Sequence, residues 1–507
     1  MTGSGSYYAA TIRRLKELCG QENVLTSRED LYVYSHVGPM GAEQTPEPVA
    51  VLRVEGRQEE DLRGDLSRLG LSVLGVDEPR TSVCEPYLLL DNRVALSLDE
   101  LEEAIAERRI RVPESKEADK QTRSVPHVAA ALFQSMEGYR LDAESGYCVV
   151  QRFLGGAETY SSKGRLLLCR GLAKGELEAT DRLADSIFSC TACGQCYDQH
   201  TSDSLSINNA IVDARHTLVA GGRQPARCAS LMRNLLDHGN PMGLDAEDRS
   251  LWYSDVAEEF AYRGNSVLYW PGCTTSYRLP EVVEATAQVL ESAEVDFGVL
   301  GDSERCCGLT LYLLGQWSEA QSYASSLAEE LKAREIDTLV TSCAGCYYAF
   351  KKVYPRLGAP LPFKVKHTSE LFDRLLKEGG LPSMKSSGVY MWHDPCDLGR
   401  HCGVYDPPRR VLGALDGAQI VEPLLSRRHA VCCGAGGGLW AYDEALTSKV
   451  AEQKIVEGVP CDVDCVVTGC PTCVLNMRYA ASLHRPGLAV VDLSQIIARA
   501  GHPEQLC

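Results

Sequence analysis

DTLVTSCAGC (337–346) and DCVVTGCPTC (464–473) are two copies of one pattern: a short apolar run, then Cys-x2-Cys. The run reads as a buried strand that delivers two thiols at its carboxyl end. The copying extends outward. SVLYW (266–270) runs into Pro271-Gly272-Cys273, and GVYMWH (388–393) runs into Asp394-Pro395-Cys396. Between strand and Cys-x2-Cys lies an adjacent pair, Cys306-Cys307 in one copy and Cys432-Cys433 in the other. The offsets between matching cysteines stay nearly constant: 396 − 273 = 123, 432 − 306 = 126, 470 − 343 = 127. Strands alternating with helical stretches, repeated at one interval, predict two α/β lobes made by duplication, at 263–385 and 386–507.

Each lobe therefore offers five cysteines: Cys273, Cys306, Cys307, Cys343 and Cys346, then Cys396, Cys432, Cys433, Cys470 and Cys473. Thiolates are soft ligands that suit iron–sulfur clusters and zinc. A tetrahedral zinc site needs only four, so five exceed it. Adjacent cysteines cannot easily aim at one small ion, but they can grip different irons of an extended cluster. Each of these cysteines follows a strand or opens a helix, where backbone N–H groups face an anionic cluster. A lone Cys-x2-Cys would equally suit a zinc knuckle, and a lone Cys-Cys pair would suit plain packing.

The chain has 507 residues and reads as two to four domains. Its 44% apolar and 24% charged residues are an ordinary globular balance. No apolar run has the length of a membrane helix, and the start lacks the features of a secretory signal. The expected place is the cytoplasm, or the periphery of a membrane complex. A net charge of −18 disfavours nucleic acid and anionic membranes as partners. Arg409-Arg410 and Arg427-Arg428 read as solvated faces or docking patches. The 22 cysteines, without a secretion signal, point to metal rather than disulfides.

The stretches YWPGCTTSYRLPE, SERCCGLTLYLLG, SCAGCYYAFKKVYP, WHDPCDLGRHCGVYDPPRRVL, AVCCGAGGGLW and GCPTCVLNM resemble the CCG-domain family, and within it the catalytic subunits of heterodisulfide reductase. The resemblance covers about the last 240 residues. It implies two noncubane [4Fe-4S] clusters on the ten cysteines above, reducing a disulfide one electron at a time.

SCTACGQCYDQH (189–200) carries Cys190, Cys193 and Cys196 at ferredoxin spacing, but His200 stands where a fourth cysteine belongs. In two-cluster ferredoxins the last cysteine of each motif serves the other cluster. Upstream, YCVVQRFLGGAETYSSKGRLLLCRGLAKGELE (147–178) resembles the family's ferredoxin-like segment, with Cys148 at the place of that last cysteine and Arg152 and Ser161-Ser162-Lys163-Gly164-Arg165 after it. The first three cysteines of the upstream motif are missing. The resemblance thus implies one retained cubane [4Fe-4S] on Cys148, Cys190, Cys193 and Cys196. The alternatives are His200 as fourth ligand, or a vestigial site without metal.

Residues 1–124 read as a small α/β region, with helices in AATIRRLKEL, RQEEDLRGDLSRL and SLDELEEAIAERR, a strand in PVAVLRV and a linker at 113–124. Within them NVLTSREDLYVYSHVGPMGAEQTPEPVAV (23–51) resembles the opening of FAD-linked oxidases of the glycolate and D-lactate dehydrogenase kind. The glycine-rich pyrophosphate loop is absent, so no FAD is expected. Residues 125–262 read as a helical ferredoxin-like domain. Of the other cysteines, Cys169 reads as a buried helix-face residue, and Cys461 and Cys465 read as packing. His393, His401 and His429 lie near second-lobe ligands and read as hydrogen-bonded structural histidines or as proton donors to a leaving thiolate.

Two functions fit. One is a redox subunit that reduces a disulfide or thiol-linked substrate. The other is the electron-transfer iron–sulfur subunit of a flavin-dependent hydroxy-acid dehydrogenase that feeds a membrane or quinone partner. Either needs a flavoprotein, ferredoxin or cytochrome subunit as donor or acceptor.

Overall fold

The computed structural model describes residues 24–36, 50–53, 72–75, 87–91, 148–196, 204–382 and 384–500. The three helices expected before residue 110, the linker at 113–124 and His200 lie outside the described residues. The chain forms two compact units, 1–187 with 196–202, and 188–195 with 203–507.

The first unit holds a four-stranded sheet, β1 (Val24–Leu25), β2 (Ala50–Arg53), β3 (Ser72–Gly75) and β4 (Tyr87–Asp91), in the order β1-β2-β4-β3. The expected PVAVLRV strand is β2. Helix α1 (Arg28–His36) packs on α2 (Ser162–Lys174). Gly171 permits the approach: a Cβ there would lie 2.8 Å from the Tyr32 ring. Helix α2 starts where the Ser161 hydroxyl accepts the Gly164 N–H at 2.9 Å. Cys169 is fully buried on it, as expected.

The second unit opens with two helices, α3 (Ser204–Ala220) and α4 (Ala226–His238), and continues into the two lobes. Lobe 1 runs β5 (Val267–Trp270), α5 (Cys273–Arg278), α6 (Pro280–Ser292), β6 (Phe297–Gly298), α7 (Trp317–Lys332), β7 (Thr338–Thr341), α8 (Ala344–Tyr348), β8 (Lys364–His367) and α9 (Thr368–Glu378). Lobe 2 runs β9 (Lys385–Trp392), α10 (Asp406–Leu412), β10 (Asp416–Val421), α11 (Glu444–Gly458), β11 (Cys465–Thr468), α12 (Pro471–His484), β12 (Ala489–Asp492) and α13 (Leu493–Ala500). Both sheets are wholly parallel and share one order, β6-β5-β7-β8 and β10-β9-β11-β12. The central strands are buried on both faces, which is why they read as unbroken apolar runs.

The lobes exchange helices across their joint. Helix α6 of lobe 1 packs on α13 of lobe 2, and α9 of lobe 1 packs on α10 of lobe 2. At the second contact Arg410 grips Asp373 with two bonds of 2.7 Å, which holds that carboxyl down near 2.

His367, fully buried at the end of β8, ties the lobes together. Its Nδ1 accepts the Ser369 N–H at 3.2 Å, so Nε2 carries the proton and donates to the Gly469 carbonyl of lobe 2 at 2.9 Å. Burial pushes its pKa down to about 4. The folded value lies below the unfolded one, so the unfolded chain takes the proton first. The His367 contribution to stability is therefore level above about pH 6.5, falls by about 3 kcal/mol as pH drops towards 4, and levels again. Denaturant titrations between pH 7.5 and 4.5 should show this slope in the native chain and a much flatter one in His367→Gln. Equal slopes would remove His367 as the cause.

Candidate metal centres

In each sheet the connections leave to opposite sides between the first and third strands, which opens a crevice at their carboxyl ends. Cys273 follows β5 and Cys343 follows β7, so the crevice of lobe 1 is flanked by thiols. Cys396 after β9 and Cys470 after β11 repeat this in lobe 2. The adjacent pairs reach the same places from the loops after β6 and β10.

The structure brings each set of five together. In lobe 1, Cys273 and Cys306 Sγ lie 3.6 Å apart. Hydrogen bonds from Cys306 and Cys346 pull the buried Cys307 thiol below its usual range. The Cys346 N–H points at Cys343 Sγ at 3.4 Å. In lobe 2, Cys433 and Cys473 Sγ lie 3.2 Å apart, and Cys396 is in contact with Cys432. Hydrogen bonds from Cys432 and Cys473 pull Cys433 down in the same way. All ten are buried, and no disulfide joins them. Five neighbouring thiols in each lobe, one of them predisposed to ionise and one fed by a backbone N–H, fit an extended iron–sulfur group better than a single ion.

The glycines beside the cysteines are structural requirements. Gly434, at φ +93°, turns its N–H to Cys432 Sγ at 3.4 Å. Gly272, at φ +83°, passes so close that a Cβ would lie 2.9 Å from Cys346 Sγ.

The surroundings of the two sets differ. Beside Cys273 and Cys306, buried Arg249 pairs with buried Glu304 at 2.7 Å, and Glu304 also accepts the Gly272 N–H at 3.1 Å. Burial pushes Glu304 up to about 7. Beside the lobe 2 set, His393 has a nitrogen within 4.8 Å of Cys433 and Cys473 Sγ, and neither of its ring nitrogens has a partner. Lys454, 3% exposed, faces Cys433, Asp394, Cys432 and Cys473. His401 Nε2 meets the Ala192 carbonyl at 3.1 Å, while His429 lies exposed.

Both sets open into one cavity of about 720 Å³, lined by Cys273, Cys307 and Cys346 from one side and Cys396, Cys433 and Cys473 from the other. Asp397, Thr310, Thr472 and Leu475 complete its inner wall, and the exposed Arg227 and Arg278 belong to its lining.

Of the ferredoxin-type cysteines, Cys190 and Cys193 belong to the second unit and Cys148 and Cys196 to the first. In the second unit two buried arginines hold the cysteine loop. Arg215 donates to the carbonyls of Cys190 at 2.6 Å, Gly437 at 2.5 Å and Leu313 at 2.7 Å. Arg400 donates to those of Cys193 at 2.7 Å and Ala430 at 2.6 Å. Gly437 leaves no room for a side chain, since a Cβ would lie 2.2 Å from the Thr191 carbonyl oxygen. The Cys193 thiol lies against Cys432, whose hydrogen bond, together with burial, raises it. In the first unit Arg165 points a guanidinium nitrogen at Cys148 Sγ, 3.2 Å away, and anchors on the Tyr160 and Ser186 carbonyls.

Two expectations need correction. Cys465 is buried in β11, but Cys461 is exposed and packs nothing, because its turn precedes the strand. Of the arginine pairs, Arg409 is no solvated face, since it bridges Asp394 and Glu422 largely buried, whereas Arg410, Arg427 and Arg428 are exposed, Arg410 pairing with Asp373 and Arg427 with Asp406.

The cysteine-rich CCG domain matches this chain twice, at residues 267–351 and 390–478. The chain is 33% identical over 352 residues to a subunit of the dihydromethanophenazine:CoB–CoM heterodisulfide reductase of Methanosarcina acetivorans, covering 68% of this chain and 84% of that protein. It is 32% identical to the EtfAB:quinone oxidoreductase of Syntrophomonas wolfei, over 62% of this chain and 47% of that one. It is 30% identical to the probable iron-sulfur-binding oxidoreductase FadF of Bacillus subtilis, over 57% of this chain and 43% of that one. With the duplicated five-cysteine sites, these likenesses place the chain: it belongs to the CCG-domain iron–sulfur family that includes this heterodisulfide reductase component.

Proposed function

We propose that this iron–sulfur oxidoreductase subunit reduces a disulfide or a related thiol-linked substrate in the cavity between its lobes. In this reading Cys273, Cys306, Cys307, Cys343 and Cys346 hold one noncubane [4Fe-4S] cluster. Cys396, Cys432, Cys433, Cys470 and Cys473 hold a second. Cys148, Cys190, Cys193 and Cys196 hold a cubane. The four-part division of the chain at 124, 262 and 385 belongs to the same proposal. When bound, such clusters supply electrons singly, and a pair of them matches the two electrons a disulfide consumes.

The observation that carries the reading is the shared cavity, into which both sulfur sets open. A disulfide lying there has one set on each side. Leu309, Leu313 and Leu475 give it apolar wall, and Thr310 and Thr472 offer hydroxyls to a substrate. The cavity lining sets Arg227 and Arg278 against Asp397 and Glu444, so its charges balance, and the two exposed arginines are the groups that would meet a carboxylate or phosphate on a substrate. In this reading a partner subunit carries electrons to or from the clusters; among the described residues no helix is long and apolar enough to cross a membrane. That partner, or the donor, is a flavoprotein, ferredoxin or cytochrome subunit.

The likeness to FadF and to EtfAB:quinone oxidoreductase favours a second reading, an electron conduit between a flavin dehydrogenase and a membrane or quinone partner. Anaerobic protein with its full iron, reduced by viologen, separates the two. The first reading expects two thiols released per disulfide from an acidic disulfide substrate. No thiol from any disulfide, with rapid oxidation of a reduced electron-transferring flavoprotein, would replace it by the second.

A further inference from the structure

The two lobes set the same five sulfurs in different electrostatic surroundings, and the difference can be assigned to particular positions. With the cysteine pairs matched, Lys454 corresponds to Ala328 (454 − 126 = 328), a buried small residue of α7. By the cysteine offset (393 − 123 = 270) and by strand register, His393 corresponds to Trp270, whose indole nitrogen is likewise buried without a partner. An ammonium and an imidazole at these two places thus occur in lobe 2, against a methyl group and an indole in lobe 1. Conversely, Glu304 of lobe 1 corresponds to Ala430 (304 + 126 = 430).

The charges close to each set can be balanced. In lobe 1 Arg249 is paired with Glu304 at 2.7 Å, which offsets its charge to the extent that Glu304 is ionised. In lobe 2 Arg400, which lies beside Cys396 and Cys432, is offset by Asp397, whose carboxylate lies 3.8 Å from Cys396 Sγ. Asp394 is held by Arg409 at 2.7 Å. Burial works against the charge of Lys454 while Cys433, Asp394, Cys432 and Cys473 favour it, and when protonated it is the surplus cation; one unpartnered nitrogen of His393 lies within 4.8 Å of Cys433 and Cys473 Sγ. A cluster's reduction potential rises with nearby positive charge and with hydrogen bonds to its sulfurs.

We propose that Lys454 and His393 give the lobe 2 cluster the higher reduction potential of the noncubane pair, so that the first of the two electrons a disulfide consumes comes to rest in lobe 2. This rests on the cluster assignment above. Lys454 and His393 act as tuning residues, without touching the substrate. The lobe assignment agrees with the contact between Cys193 of the ferredoxin-type loop and Cys432, which puts lobe 2 nearer that loop's sulfur.

The test is an electron paramagnetic resonance redox titration of the full chain, purified anaerobically with iron and sulfide counted, using dithionite and mediators. The wild type should show two noncubane signals of distinct potential. Lys454→Met should raise the oxidised-to-reduced ratio of the higher-potential signal about tenfold at its wild-type midpoint, a fall of about 59 mV for a one-electron couple. Lys454→Arg should restore it. Glu304→Gln should raise the lower-potential signal and leave the higher one in place. His393→Leu should lower the higher-potential signal by a smaller factor, and it decides the matter should Lys454→Met lose iron. Full iron with both signals unmoved by Lys454→Met, or with the lower-potential signal moved instead, overturns the tuning but leaves the clusters. Lobes without iron overturn both.

Discussion

Cys433→Ser should lower the iron content from about twelve to about eight atoms per chain and cut disulfide turnover at least about one-hundredfold. Cys433 stands in the middle of the lobe 2 set, bonded to Cys432 and 3.2 Å from Cys473. Its thiol is pulled well below the usual range by those two neighbours, so it is the sulfur most ready to bind as thiolate. Serine keeps the shape within one atom but offers a hard hydroxyl that does not ionise near neutral pH. The lobe 1 set shares no cysteine with lobe 2, so its irons should stay. Iron and sulfide analysis, with the remaining noncubane signal, reads the result. Unchanged iron would remove Cys433 from the ligand set. Loss of all iron from a chain with native circular dichroism would mean that the two lobes do not load separately.

Arg215→Met should destabilise the chain by about 3–5 kcal/mol and strip iron from the ferredoxin-type site. Arg215 comes from α3 and is fully buried. Its guanidinium joins main-chain carbonyls from three places in the fold: Leu313 in lobe 1, Gly437 in lobe 2, and Phe188 and Cys190 at the cysteine loop. The cation also lies 5.2 Å from the centre of the Phe188 ring. Methionine fills much of the space but leaves the carbonyls buried without donors. Lysine would not rescue, because one ammonium cannot reproduce the planar fork. Thermal denaturation and iron content check this together. A Tm within a few degrees of wild type with full iron would show that the loop is held by other means.

The duplicated lobes were legible because physics writes them locally. Val267–Trp270 and Cys465–Thr468 are covered on both faces, so they appear as apolar runs. The ligands follow at once because the crevice lies at the strand ends. The ten lobe cysteines, found from spacing, meet as expected. The arginines that hold the sites were not legible. Arg215, Arg400 and Arg249 are buried at sites made by distant segments, and the first two bind main-chain carbonyls, which no sequence pattern marks. Lys454 left a signal that went unread: with Thr447, Val450 and Ala451 it falls on the buried stripe of α11, where a lysine is out of place. Arg165 stood inside the run that resembles the ferredoxin segment, yet its bond to Cys148 depends on the folding of α2. The close approach of Gly437 to Thr191 joins segments far apart in the chain, and no sequence pattern marks it.

The exchange of helices between the lobes has a consequence for translation. Helix α6 ends at Ser292, but α13, which covers it, begins at Leu493. The ribosome thus releases the first half of the repeat long before its cover exists, and an apolar face waits on the nascent chain. Iron insertion into the earlier half is then best completed after synthesis, and a message cut short before α13 yields a product fit for proteolysis rather than a half-working protein.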